Sequence, residues 1–146
     1  MNLKRIQDLS IYYWLQSKVP SIVNVEDGFP TGSLTLPTVS ITSLDIKGVP
    51  LELGGCDYNT SFWRVDIFAK NKVQRDELAY LLFDEIEHQV PVYDYGVGFP
   101  PVTTPPQIGT LIVSKRLLRP VHVFRDLVEK LYWRSSITFF TYYEQI

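Results

Sequence analysis

The residues of this chain that could perform nucleophilic chemistry are one cysteine and two histidines. Cys56 follows two glycines and precedes Asp57, a sequence that is typical of a turn. A cysteine nucleophile needs a base, and only His88 and His122 are available. His88 ends an acidic segment that is predicted to be helical, where a cation suits the helix dipole, and His122 lies in an apolar setting. We therefore predict a free thiol, no catalytic residue and no enzymatic activity.

Carboxylates around residue 85 raise the alternative of a metal site. Asp84 and His88 lie one helical turn apart, with Glu85 and Glu87 beside them, so this group could hold a divalent ion. No second group of ligands is evident elsewhere in the sequence, which favours a solvated acidic helix face. The paired glycines at positions 54 and 55 lack the lysine of a phosphate-binding loop. The sequence therefore predicts neither a metal ion nor a cofactor.

Length and composition predict one domain, residues 1–146, with a substantial core. The hydrophobic share of 45% argues against bulk disorder, and the net charge is only -2. The single cysteine excludes an internal disulfide and a multi-cysteine zinc site. No apolar stretch approaches the about 20 residues of a membrane helix, and polar residues follow Lys4 and Arg5 where a signal peptide would be apolar. We expect no membrane association.

One segment, residues 62–69, alternates with the period of two that is typical of a strand with two different faces. The apolar face carries Trp63, Val65, Ile67 and Ala69, and the second face carries Phe62, Arg64, Asp66 and Phe68. The second face is half charged and half aromatic. Residues of that kind on a sheet often meet a neighbouring subunit or a second layer.

Two amphipathic helices are predicted to pack on the sheet. The first spans residues 3–18 and is stopped by Pro20, and the second begins after Asn71, which forms a capping-box-like pattern with Gln74. We expect the first helix to bury Ile6, Leu9, Tyr12 and Tyr13, and the second to bury Val73, Leu78, Leu81, Leu82 and Ile86.

Further strands are predicted at residues 38–46, 110–119 and 132–143, with a short one near residues 22–25. Gly48 and Pro50 should end the first of these. A long Pro-rich loop is expected at about residues 94–109, either as an idle connector or, the role that we favour, as a docking arm. The order predicts an α+β fold, in which a small antiparallel or mixed β-sheet is packed by an N-terminal helix and a central amphipathic helix.

Charge is distributed unevenly along the chain. Residues 45–94 contain ten acidic and five basic residues, whereas residues 115–134 contain six basic and two acidic ones. One interpretation is two solvated faces of opposite sign. The other is that the acidic patch of one copy meets the basic patch of the next, in a head-to-tail contact that closes into a ring. Nucleic-acid binding by the basic stretch is a weaker interpretation, because the overall balance is acidic.

Three sequence segments together suggest a family. The chain carries PLELGG, then FWRVDIFAKN followed by an amphipathic helix, and finally a tyrosine-rich strand ending in ITFFTYYE. This combination resembles the tail terminator and neck proteins of tailed bacteriophages, over nearly the whole chain. The resemblance implies a tail-terminator-like fold.

The resemblance also implies a function. Such proteins form rings, commonly hexamers, at the head-proximal end of the tail, where the ring ends tail-tube polymerisation and offers the surface on which the head–tail connector or stopper protein docks. The genome DNA passes through the lumen without specific binding. The protein would lie in the tail or neck region of the virion, and in the host cytoplasm during assembly. Two alternatives remain: a head-completion, stopper or other neck ring protein, and a non-viral soluble α+β binding module or small enzyme.

Aromatic and basic residues are the expected contacts of such a ring, because arginine makes bidentate contacts with carboxylates and aromatic residues anchor interfaces. The candidate interface residues are Arg64, Asp66, Phe68, Tyr93, Tyr95, Phe99, Arg116, Arg119, Arg125 and Arg134.

Overall fold

Two helices and six strands form the described part of the chain. The computed structural model describes residues 3–30, 35–50, 57–86, 89–96, 105–121 and 133–146, without the side chains of residues 45–50 and 57–59. The elements are α1 (Leu3–Lys18), β1 (Asn24–Asp27), β2 (Thr38–Pro50), β3 (Asp57–Ala69), α2 (Lys72–Glu85), β4 (Val90–Tyr93), β5 (Gln107–Val121) and β6 (Trp133–Gln145).

The six strands form one sheet in the order β1-β2-β3-β6-β5-β4. The β1–β2 pair is parallel and the other pairs are antiparallel, so the predicted α+β class with a mixed sheet is confirmed. Helix α1 contacts both edge strands of this curled sheet. The backbone N–H of Tyr93 in β4 donates to Ser10 Oγ at 3.2 Å, and Arg5 forms an ion pair with Asp27 in β1. These contacts draw the two edges of the sheet toward the same helix.

The hydrophobic core lies between the helices and one face of the sheet. The predicted apolar face of β3 is confirmed, since Trp63, Val65 and Ile67 are fully buried in one cluster with residues of both helices. Burying the Trp63 ring leaves its N–H without water, and Thr141 Oγ1 accepts a hydrogen bond from it at 2.8 Å. The Lys4 Nζ lies 3.7 Å from the centre of the same ring.

Helix α1 has the predicted bounds, but it buries a different stripe. The buried residues are Ile6, Gln7, Ser10, Ile11 and Leu15. Leu9 is only partly buried and Tyr13 is 44% exposed, so the predicted stripe was wrong except at Ile6 and, in part, Tyr12. Ser10 is tolerated inside because its hydroxyl donates to the Ile6 carbonyl oxygen at 2.8 Å.

Helix α2 begins as predicted. The Asn71 side chain accepts a hydrogen bond from the Gln74 backbone N–H at 2.9 Å, and the Gln74 side chain accepts one from the Lys70 N–H. Leu78, Leu82 and Ile86 are buried as expected. Val73 and Leu81 are not: they are 66% and 38% exposed. The helix turns them away from the sheet, so their assignment to the core was wrong.

Two predicted strand limits change and one strand, β4, was not predicted; each of these differences lies at or beside a proline. Strand β2 continues through Gly48 to Pro50, which pairs with Asp57. Proline is tolerated there because β1 covers only residues 38–41 of β2, so that the end of β2 is an edge among the described strands. In the same way, β4 is an edge strand that contains Pro91. The long loop therefore narrows from residues 94–109 to residues 94–106, because β5 begins at Gln107; its residues 97–104 lie outside the described ones.

Candidate interaction surface

The second face of the sheet, opposite the helices, carries a buried charge cluster. Asp66 is fully buried on β3, and its Oδ1 accepts hydrogen bonds from Arg134 Nη2 at 2.7 Å and Arg134 Nε at 3.2 Å. Its Oδ2 accepts one from Arg64 Nε at 3.0 Å. Because guanidinium donors occupy both oxygens, Asp66 is not placed to act as a base or as a metal ligand. It holds β3 and β6 together.

The same cluster contains two aromatic rings. The Arg134 guanidinium carbon lies 5.4 Å from the ring centres of both Phe68 and Phe29, which is cation–π distance. Phe68 is fully buried and contacts Phe29 edge-on at 5.8 Å. Asp66 and Phe68, two of the candidate interface residues, are thus enclosed within the chain by Phe29 and the two arginines. Arg64 and Arg134 remain partly exposed, with side-chain exposures of 32% and 17%.

Further along this face lies an aromatic patch, which we define as Phe62, Phe140 and Tyr142. Phe62 and Phe140 are direct cross-strand partners, and their rings stack at 4.3 Å with an interplanar angle of 10°. All three side chains are partly exposed. Along β6, the residues that face the core and the helices alternate with Phe140 and Tyr142. The aromatic patch therefore lies on the face on which no described helix packs.

Beside the patch, strand β5 presents three exposed side chains that we call the β5 row: Lys115, Leu117 and Arg119. They pair with Phe140, Thr138 and Ser136 of β6, so they point to the same face as the aromatic patch. A bulge between Val113 and Lys115 sets this alternation. Leu117 is 43% exposed. The predicted interface residue Arg119 therefore lies on a surface that is both basic and apolar.

The predicted arginines do not form one patch. Arg116 lies on the helix side of the sheet, where its guanidinium is 4.0 Å from the Phe83 ring centre and donates to the Phe83 carbonyl oxygen. It ties β5 to α2 within one chain. Arg125 lies outside the described residues, as do Phe99, Cys56, His88 and His122. The described basic residues of the stretch 115–134 are thus divided between the two faces of the sheet.

The two predicted tyrosines come together in a tyrosine cluster at the β4 edge, defined as Tyr12, Tyr13, Tyr93 and Tyr95. The ring centres of Tyr13 and Tyr95 are 4.9 Å apart, and those of Tyr93 and Tyr95 are 6.3 Å apart. Burial, and then the neighbouring Tyr13 and Tyr93, raise the pKa of Tyr95 above its usual value. These tyrosines hold the start of the long loop against α1, and Tyr13 remains on the surface.

The outer face of α2, defined as Val73, Glu77, Tyr80, Leu81 and Asp84, was missed by the sequence interpretation. These residues follow a helical spacing and share one exposed side, with Tyr80 60% exposed. A groove of about 340 Å³ adjoins this face, lined by Pro20, Ile22, Val23, Gln74, Glu77, Leu78 and Leu81. Ile22 is 70% exposed at its rim. The sequence did contain an indication of this face: α2 has more apolar residues than one core-facing stripe can bury, so some of them must be exposed.

The described residues contain no group of three or more histidine, cysteine or carboxylate side chains that could hold a metal ion. No helix in this part of the chain is long and apolar enough to cross a membrane. The described part of the chain therefore has two candidate interaction surfaces. One is the basic and aromatic face of the sheet, and the other is the acidic and apolar outer face of α2 with its groove. No family model matches the sequence, and no curated protein shows significant similarity to it.

Proposed function

We propose that this chain is a structural virion protein that assembles as a ring, of six copies by the family resemblance, at the head-proximal end of a phage tail. The ring ends tail-tube polymerisation and provides the surface on which the head–tail connector docks. The genome passes through its lumen without specific contacts. The proposal assigns no catalytic step to the chain.

The observation that supports this proposal most is the exposed sheet face opposite the helices. Phe62 and Phe140 stack there while partly exposed, Leu117 is 43% exposed, and Arg119 stands beside them. Aromatic residues and arginine are enriched in the centres of protein interfaces, and contiguous apolar patches on a monomer mark interaction sites. A ring subunit needs such a surface.

A ring subunit also needs a second, different surface, because each copy contacts two neighbours through unlike sides. The outer face of α2 supplies one, with Val73 and Tyr80 more than half exposed.

The experiment is genetic inactivation in the virus that encodes the chain. A stop codon early in the gene should yield tails of irregular and excessive length, because nothing ends tube growth, together with heads that remain unjoined. Expression of the wild-type gene from a plasmid is the control and should restore tails of normal length. Mass spectrometry should find the protein in purified tails.

Three results separate the proposal from its alternatives. Normal-length tails beside unjoined, DNA-filled heads would identify a stopper or head-completion ring instead. Normal infectious particles in the absence of the protein would refute a virion role. Absence of the protein from purified wild-type particles would refute it as well, and would favour a non-viral binding module.

A further inference from the structure

Four exposed charges lie on two sides of the molecule. Glu77 and Asp84 stand on the outer face of α2, and Lys115 and Arg119 stand on β5. Within the part of the chain that the structure describes, none of the four forms an ion pair, although ten other acidic or basic side chains do so. Exposed charges without partners are common, so the charges alone decide nothing.

The arrangement around these charges is more informative, because each pair brackets exposed apolar side chains. On α2, Tyr80 and Leu81 lie between Glu77 and Asp84, and Leu81 also lines the groove. On β5, Leu117 lies midway between Lys115 and Arg119. Both surfaces therefore have an apolar centre between two charged side chains. The charges are negative on α2 and positive on β5.

The spacings of the two surfaces match. Glu77 and Asp84 are seven residues apart in a helix, which is about 10 Å along its axis. Lys115 and Arg119 are four residues apart in a strand, which is about 13 Å. Lysine and arginine side chains are long and flexible enough to absorb a difference of about 3 Å. If the β5 row of one copy lies along α2 of another, both charge pairs can therefore form while Leu117 enters the groove.

The two surfaces cannot meet within one chain. Leu118 packs against the core on the helix side of the sheet, so its neighbour Leu117 points away from the helices. Helix α2 contacts β3, β5 and β6 from the helix side. The contact must join two copies, and because it uses unlike surfaces it is heterologous and continues from copy to copy.

We propose that the β5 row of one copy docks in the groove beside the outer face of α2 of a second copy, with Leu117 against Leu81 and Ile22 and with Lys115 and Arg119 facing Glu77 and Asp84. This inference rests on the proposed ring function for its closure and names the contact that builds the ring. The occupant is a second copy of this chain, because the same molecule carries both complementary surfaces.

The test reverses the charges of each surface separately and then mixes the variants. The acid-reversed variant is Glu77→Lys/Asp84→Lys, and the base-reversed variant is Lys115→Glu/Arg119→Glu. Association of purified chains is followed by sedimentation velocity up to a concentration of about 1 mM, where contacts weaker than about 4 kcal/mol fail to hold. Matched controls are Glu144→Lys and Lys72→Glu, which reverse exposed charges away from both surfaces.

The wild-type chain and both controls should associate. Each reversed variant alone should associate at least about tenfold more weakly, because like charges then face each other. A one-to-one mixture of the two reversed variants should regain association, since each contact between one variant and the other again joins opposite charges. Misfolding of either variant would not be cured by mixing, and circular dichroism of each variant checks it directly.

Two results would overturn this contact, and neither would by itself decide the proposed function. A wild-type chain that remains monomeric at about 1 mM would exclude the docking. Association that neither reversal weakens, or that mixing does not restore, would place the contact elsewhere on the chain. The proposed function is decided separately, by tail length in the virus that lacks the protein.

Discussion

Replacing Asp66 by asparagine tests whether the buried charge cluster holds the centre of the sheet together. The substitution keeps the size of the side chain and removes its charge. In the wild-type protein the carboxylate accepts two hydrogen bonds from Arg134 and one from Arg64. Asparagine can accept from one arginine only, and its NH₂ group then faces the N–H donors of the other.

The expected cost is about 3 kcal/mol of the free energy of unfolding. Removing one partner of a buried ion pair costs about 3–5 kcal/mol, because a charge is left without compensation. Asp66 itself is fully buried, but Arg64 and Arg134 keep side-chain exposures of 32% and 17%. Water can therefore reach the guanidinium groups that are left, which puts the cost at the low end of that range.

The assay is urea denaturation followed by tryptophan fluorescence, to which the buried Trp63 in the same strand contributes. Glu144→Gln is the matched control, because it makes the same change from carboxylate to amide at an exposed position away from both surfaces and should alter stability by less than about 0.5 kcal/mol. A folded Asp66→Asn variant that loses less than about 1 kcal/mol would refute the view that this cluster stabilises the sheet.

Two further predictions concern Lys4 and Gly109. Burial lowers the pKa of Lys4 from 10.5 to about 8, so the unfolded chain binds more protons between those values, and the stability of the wild type should rise with pH across that window. Lys4→Met should remove this rise, and parallel stability curves for the two proteins would contradict it. Gly109→Ala should cost about 1 kcal/mol, since the new Cβ would lie 2.6 Å from Tyr143 Cζ and push away the hydroxyl that donates to the Ile108 carbonyl oxygen. The same change should be neutral or stabilising in a Tyr143→Ala background; an equal cost in both backgrounds would exclude that contact as its cause.

Where the chain repeats a short pattern, the sequence was enough to predict structure. The period of two in residues 62–69 identified a strand with a buried apolar face, and Asn71 with Gln74 identified the start of α2. The α+β class followed from the order of such segments. These features depend on hydrogen bonds and side-chain directions within a few residues, so neighbouring residues determine them.

Other features were decided only by the tertiary structure, because they depend on residues that are distant in the chain. Asp66 reads as an exposed charge in its strand, but Arg134, 68 residues further on, brings the guanidinium that allows its burial. Leu81 and Leu82 are equally apolar in the sequence, and only the position of α2 on the sheet buries one and leaves the other at the groove. Burial is a property of what packs against a side chain, and the sequence alone does not state which elements will meet there.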